Sequence, residues 1–167
     1  MDVRKRLADL EEILEVRYET LGEAEKDLAM TTDTFEVTRI KQRLRKRVLP
    51  EIRKYEVEYW ELIAQESRSC TVAEDDAGNA IVEVVREVQV IESTSNADYP
   101  DEVIRLLEEI RNKLNDPGNP AAAKAKLALS LIPGILAYEV ELDTETALRK
   151  AFQPVRQLFK EAIAEKK

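Results

Sequence analysis

Leucine recurs at every seventh position from Leu7 to Leu28, and this repeat limits the possible folds more than any other feature of the chain. Together with Val3 and Leu10 it places apolar residues at three- and four-residue steps, one stripe on a helix of period 3.6. A seven-residue apolar repeat is the seam of a coiled coil. Arg17 and Ala24 occupy intervening core-type positions and weaken the seam locally. Thr31-Thr32-Asp33 breaks the pattern, and Asp33 with Glu36 has the spacing of a capping box, so a second helix starts there. Its stripe runs Phe35, Val37, Ile40, Leu44, Val48, Ile52, Tyr55, Tyr59 and Leu62. Pro50 lies inside it and removes one helical hydrogen bond, which predicts a kink or a division near Leu49.

Folding the chain about Thr32 sets Leu28 beside Val37, Leu21 beside Leu44, Leu14 beside Val48 and Ile52, and Leu7 beside Tyr59. Every layer is apolar on both sides. The acidic Glu19, Glu23, Glu25 and Asp27 come to the same height as the basic Arg39, Lys41, Arg43, Lys46 and Arg47, and should neutralise much of that run. Residues 1–67 therefore read as a long antiparallel helical hairpin, coiled-coil-like, roughly 45 Å long at 1.5 Å per residue. Such a hairpin buries one face of each helix, so the rest of this chain or a second copy must cover the remainder.

Residues 68–80 are polar, include Asp75-Asp76-Ala77-Gly78-Asn79, and read as a linker. Beyond them, 81–167 reads as a small, mainly helical domain. Ile81 to Ile91 fits a helix face through Ile81, Val84, Val85, Val88 and Ile91, while the alternation Val82, Val84, Val88, Val90 fits a strand; helix is the reading taken. Pro100, Asp101 and Glu102 open a helix to about Leu114, and another runs from about Pro120 to Leu131, ending at Pro133-Gly134. Ile135 to Leu142 alternates as a short half-buried β segment. Asp143 then caps a last helix that Pro154 bends. The fold class expected is mainly α, with that one extended segment.

Composition bears on function chiefly through what it lacks. Charged residues make up 36% and aromatics 5%, with four glycines, which suits long solvated helices better than a barrel or sandwich. There is no histidine, which removes the commonest general base near neutral pH, the usual catalytic triads and most transition-metal sites. Cys70 sits alone in a polar stretch with no activating partner. The carboxylates Glu139, Glu141, Asp143 and Glu145 lack the glycine turn and spacing of a calcium loop, and no phosphate-cradling glycine loop is present. A non-enzymatic chain without cofactor or metal is expected. The net charge of -8, the single cysteine, the lack of an apolar leader and the absence of a spanning-length apolar run point to a soluble cytoplasmic protein.

Three sets of residues are candidates for contact. The first is Leu7, Leu14, Leu21 and Leu28 on the seam with Tyr55, Tyr59 and Trp60 at the far end of the second helix, where an exposed aromatic would anchor a protein partner. The second is the apolar stretch Leu127 to Tyr138, with Leu131, Ile132, Ile135 and Leu136, as a membrane-surface or latch element. The third is the basic face Arg39, Lys41, Arg43, Lys46 and Arg47, which could neutralise phosphates although no aromatic is interleaved.

The stretches from Tyr99 through Asp116-Pro117, Pro120 to Lys124, Leu131 to Ile135 and Tyr138 to Glu145 resemble a non-catalytic segment of cyanobacterial multidomain signalling and conflict proteins. The hairpin from Val3 to Ala64 is similar to helical regions that accompany TIR, caspase-like or STAND NTPase domains in such proteins. That resemblance implies an adaptor role, through homotypic assembly or by coupling an effector partner to a sensor, and it carries no catalytic residues. Self-assembly or docking to protein is thus the expected function. Perturbation of a membrane is the second reading, and nucleic-acid binding through the basic face is the third.

Overall fold

Helix follows helix through the computed structural model, which describes residues 2–94, 99–138 and 142–165, with the backbone alone for 94 and 142–146. The elements are α1 (Val3–Met30), α2 (Thr34–Arg43), a π-helical turn (Leu44–Val48), α3 (Leu49–Ser67), α4 (Glu74–Thr94), α5 (Asp101–Leu114), α6 (Ala121–Leu129), α7 (Ile132–Leu136), α8 (Leu142–Ala151) and α9 (Gln153–Glu165). No strand occurs among the described residues. The chain divides into two units, 1–59 and 60–167.

In the first unit, Asp2 caps α1 by accepting from the Arg4 and Lys5 amides. Leu7, Leu10, Leu14, Leu21 and Ala24 are buried along one face. Arg17, at a core-type position, keeps its charge out of the core by turning to Glu51 at 2.8 Å. Asp33 caps α2, accepting from the Phe35 amide at 2.9 Å. The reciprocal half of the capping box is not made: the Asp33 amide donates to Thr31 Oγ1, and Glu36 is taken up by Arg39. Pro50 has its expected effect, in a specific form. Its missing N–H would leave the Lys46 carbonyl without the usual i+4 donor, and the helix widens just before it, with the Leu49 amide reaching back five residues to Leu44 O.

Pairings within this unit tie α1, from Arg6 to Tyr18, to the middle of α3. Arg6 grips Glu58 through Nε at 2.5 Å and through Nη2 at 2.7 Å. Tyr59 donates to Glu11 at 2.8 Å, and Tyr18 donates to the buried Glu56 at 3.0 Å. The Arg6 bond is the largest influence holding the Glu58 carboxyl below its usual range. A carboxylate whose folded pKa is depressed contributes stability above its unfolded value, here 4.5, and loses it as pH falls through the lower folded value. Both side chains are about a third exposed, so solvent screens much of the effect. Glu58→Gln should therefore lower the urea midpoint slightly at pH 7 and by less as the pH falls below 4.5, and a deficit that does not shrink with falling pH would contradict this assignment.

The second unit is organised around α4, which packs against α5, α6, α8 and α9. Ile81, Val84, Val88 and Ile91 are buried there, so the helical stripe prevails, while Val82 and Val90 point to solvent and account for the strand-like alternation. The 68–80 linker reading needs correction. Glu74 to Asn79 form the first turns of α4, and the polar residues are used for tying helices together. Glu74 accepts from the Ala121 and Ala122 amides, both at 2.9 Å, supplying the cap that Pro120 cannot give α6. Lys126 Nζ donates to the Cys70 carbonyl at 2.6 Å, and Arg111 pairs with Glu92 at 2.8 Å. The observed division also falls after Tyr59, earlier than the boundary expected after residue 67.

Three further expectations change. The β segment expected at 135–142 is not formed where it is described: Ile135 and Leu136 end α7 and Leu142 begins α8, while 139–141 lie outside the described residues. Pro133-Gly134 is no helix stop but lies inside α7, because proline is tolerated in a first turn whose N–H groups have no partner. Asp143 lies within α8, and the last helix is two, broken at Phe152 just before Pro154.

Candidate interaction surfaces

The seam leucines are spent on the chain itself. Leu7, Leu14 and Leu21 are buried and Leu28 is half-buried. The aromatic end behaves likewise: Tyr59 and Trp60 are buried and Tyr55 is half-buried beneath the Lys54 ammonium, 5.5 Å from its ring. Trp60 is thus no exposed anchor, and it lies edge-on to Phe152 at 6.5 Å in the core of the second unit. The supposed latch is core as well, since Ile132, Ile135 and Leu136 are buried and Leu131 is half-buried. Leu127 and Tyr138, at its ends, remain exposed. Among the described residues no helix is long and apolar enough to cross a membrane.

One stripe residue turns out the other way. Phe35, expected on the buried face, is 88% exposed, and Met30 is 74% exposed. They bracket the turn between α1 and α2, one at the end of a 28-residue helix and the other in the first turn of a helix capped by Asp33. Covering a phenylalanine recovers about 1.5–3 kcal/mol, and here this chain leaves that free energy unused.

The basic run is the second unsatisfied surface. Lys41, Arg43, Arg45, Lys46 and Arg47 are exposed and their side chains make no hydrogen bond or ion pair among the described residues. Arg6, Arg17, Arg39, Arg105 and Arg111 each hold a glutamate. The expected neutralisation by α1 does not take place through ion pairs. Arg39 bonds Glu36 on its own helix, and Asp27 reaches it as a minor through-space influence. The acids of α1 are equally uncompensated: Glu12, Glu15, Glu19, Glu23 and Asp27 are exposed and their side chains form no hydrogen bond or ion pair among the described residues. Glu15, Glu19, Glu23 and Asp27 stand four residues apart, where each like-charge pair costs a helix about 0.2–0.5 kcal/mol. In sequence these charges read as a solvated face balanced by the facing helix, and only side-chain positions reveal that the balance is not struck.

Features that would support chemistry are weak. An open groove of ≈ 710 Å³ runs over α4, α8 and α9, lined among others by Glu83, Arg86, Glu87, Lys150 and Glu161, with both signs of charge mixed along it. Among the described residues no group of His, Cys, Asp or Glu is arranged to hold a metal ion. The side chains of Glu139, Glu141, Asp143 and Glu145 lie outside the described ones. Cys70 is buried, its thiol donating to the Glu66 carbonyl at 3.3 Å.

No protein family, curated protein or solved structure matches this chain.

Proposed function

We propose that this chain is a non-enzymatic protein-interaction and oligomerisation module, an adaptor built on an antiparallel, coiled-coil-like hairpin from α1 to α3. The observation that carries this reading is the exposed apolar pair Met30 and Phe35, held at the α1–α2 turn between two helix ends. An aromatic presented on rigid backbone loses little entropy on docking, which is how interface anchors work. The seam leucines contribute indirectly by fixing the scaffold that presents the turn.

Light scattering coupled to size-exclusion chromatography tests the reading at physiological salt, where exposed charges are screened beyond about 8 Å. The purified chain should show a mass that rises with concentration from 19.1 kDa. Met30→Ser with Phe35→Ser should shift that rise to concentrations about tenfold or more higher, as expected when an apolar anchor is lost. A mass of one chain throughout, or a rise indifferent to both substitutions, would overturn it.

A further inference from the structure

Acid and base on this surface are arranged as complements. Leu7, Leu10, Leu14, Leu21 and Ala24 define the inward face of α1. At 100° per residue, Glu15, Glu19, Glu23 and Asp27 fall on the opposite face, so an acidic stripe of four residues runs along the outside of the helix. Ile40, Leu44 and Val48 are the inward residues of α2 and the π turn, which leaves Lys41, Arg43, Arg45, Lys46 and Arg47 spread over the outside of that segment. The outside of α1 is thus predominantly acidic, with Lys26 a cation among these acids, and the outside of the α2–π segment is predominantly basic. Neither stripe has ion-pair partners among the described residues, and each is internally repulsive.

We infer that the occupant of these stripes is a second copy of this chain, the acidic flank of one copy docking on the basic flank of the next. This rests on the reading of the chain as a self-associating module and adds which surface selects the partner. Charge complementarity points to a copy rather than a nucleic acid, because a polyanion would answer Lys41–Arg47 alone and leave the acidic stripe uncompensated, whereas a second copy carries a counterpart to each. Since the two stripes lie on opposite flanks, a two-fold pair cannot satisfy both at once. The contact is heterologous, leaves an acidic flank open at one end and a basic flank at the other, and so propagates as a head-to-tail array.

The test uses the full chain carrying Met30→Ser and Phe35→Ser, so that the apolar contact does not contribute, at about 20 mM and about 300 mM salt, which spans a several-fold change in screening length. At low salt the mass should grow past two chains with concentration, and at high salt it should return to one. In the same background one variant loses the acids (Glu15→Gln, Glu19→Gln, Glu23→Gln, Asp27→Asn) and another the bases (Lys41, Arg43, Arg45, Lys46 and Arg47, each to Gln). Each alone should stay at one chain with unchanged far-ultraviolet circular dichroism, since neutralisation relieves repulsion and leaves the core intact. Mixed, they should form a 1:1 pair and stop, each having one working flank. Growth that survives either neutralisation, a single-chain mass at low salt, or a mixture that stays monomeric would overturn the inference. So would salt-sensitive capture of a labelled oligonucleotide by the base-bearing chain without any growth, which would assign the basic flank to nucleic acid. The proposed function fails separately, on the Met30 and Phe35 measurement at physiological salt.

Discussion

Leu14→Asp should unfold the first unit. Leu14 is 3% exposed in the middle of the α1 stripe, with Leu10 and Leu21 buried to either side. Truncating such a leucine to alanine costs about 2–5 kcal/mol through lost transfer and the cavity left behind. Aspartate adds the cost of a carboxylate in an apolar layer, where the group either stays neutral at the expense of its pKa or draws in water. Ion pairs cannot offset this, because Arg6 and Arg17 lie on α1 and already hold Glu58 and Glu51. Against a total stability of about 5–15 kcal/mol for an ordinary domain, the substitution is sufficient to melt α1 and the segment packed on it. Far-ultraviolet circular dichroism should lose a large part of the helical signal at 25 °C, and the low-denaturant baseline in urea should be missing. Retention of wild-type ellipticity and of the wild-type urea midpoint would show that this stripe is not the core.

Much of the architecture is legible in the sequence where periodicity and local chemistry agree. The leucine repeat locates α1, the Asp33 cap and the Pro50 disruption fall where expected, and α5 runs from Asp101 to Leu114 as the proline and its acidic first turn predict. The errors come from interactions that no local pattern encodes. Glu74 looks like linker until Ala121 and Ala122, 47 and 48 residues later, donate to its carboxylate. The buried Glu56 under Tyr18 gives no signal in a stripe of apolar residues. Alternation at Leu136, Tyr138, Val140 and Leu142 resembles a strand, yet five residues of proline-initiated helix already take up Leu136. For the surfaces, sequence supplies charge and hydrophobicity but not who is satisfied: Phe35 and Trp60 exchange their expected roles. The acidic and basic runs lie within one unit, yet no ion pair joins them among the described residues.

Phe152→Ala should cost the second unit about 3–5 kcal/mol, the usual range for a buried phenylalanine. Its side chain has no exposure, it sits at the break between α8 and α9, and it meets the edge of Trp60 with ring planes at 75°. Three losses coincide there. The transfer energy goes, an edge-to-face contact worth about 0.5–1.5 kcal/mol goes with it, and the break between two helices loses the residue that plugs it. Collapse around the vacancy is restricted, since Ala151 and Val155 beside it are themselves buried and small. The chain has one tryptophan, so emission from Trp60 reports on this core without labelling. The variant should show a red-shifted, weaker-burial spectrum or a urea transition moved to markedly lower denaturant, whereas Phe35→Ala, on an 88% exposed side chain, should leave that transition where it is. If Phe152→Ala and Phe35→Ala gave the same midpoint, Phe152 would not be holding the α8–α9 break against Trp60, and the core of this unit would have to be centred elsewhere.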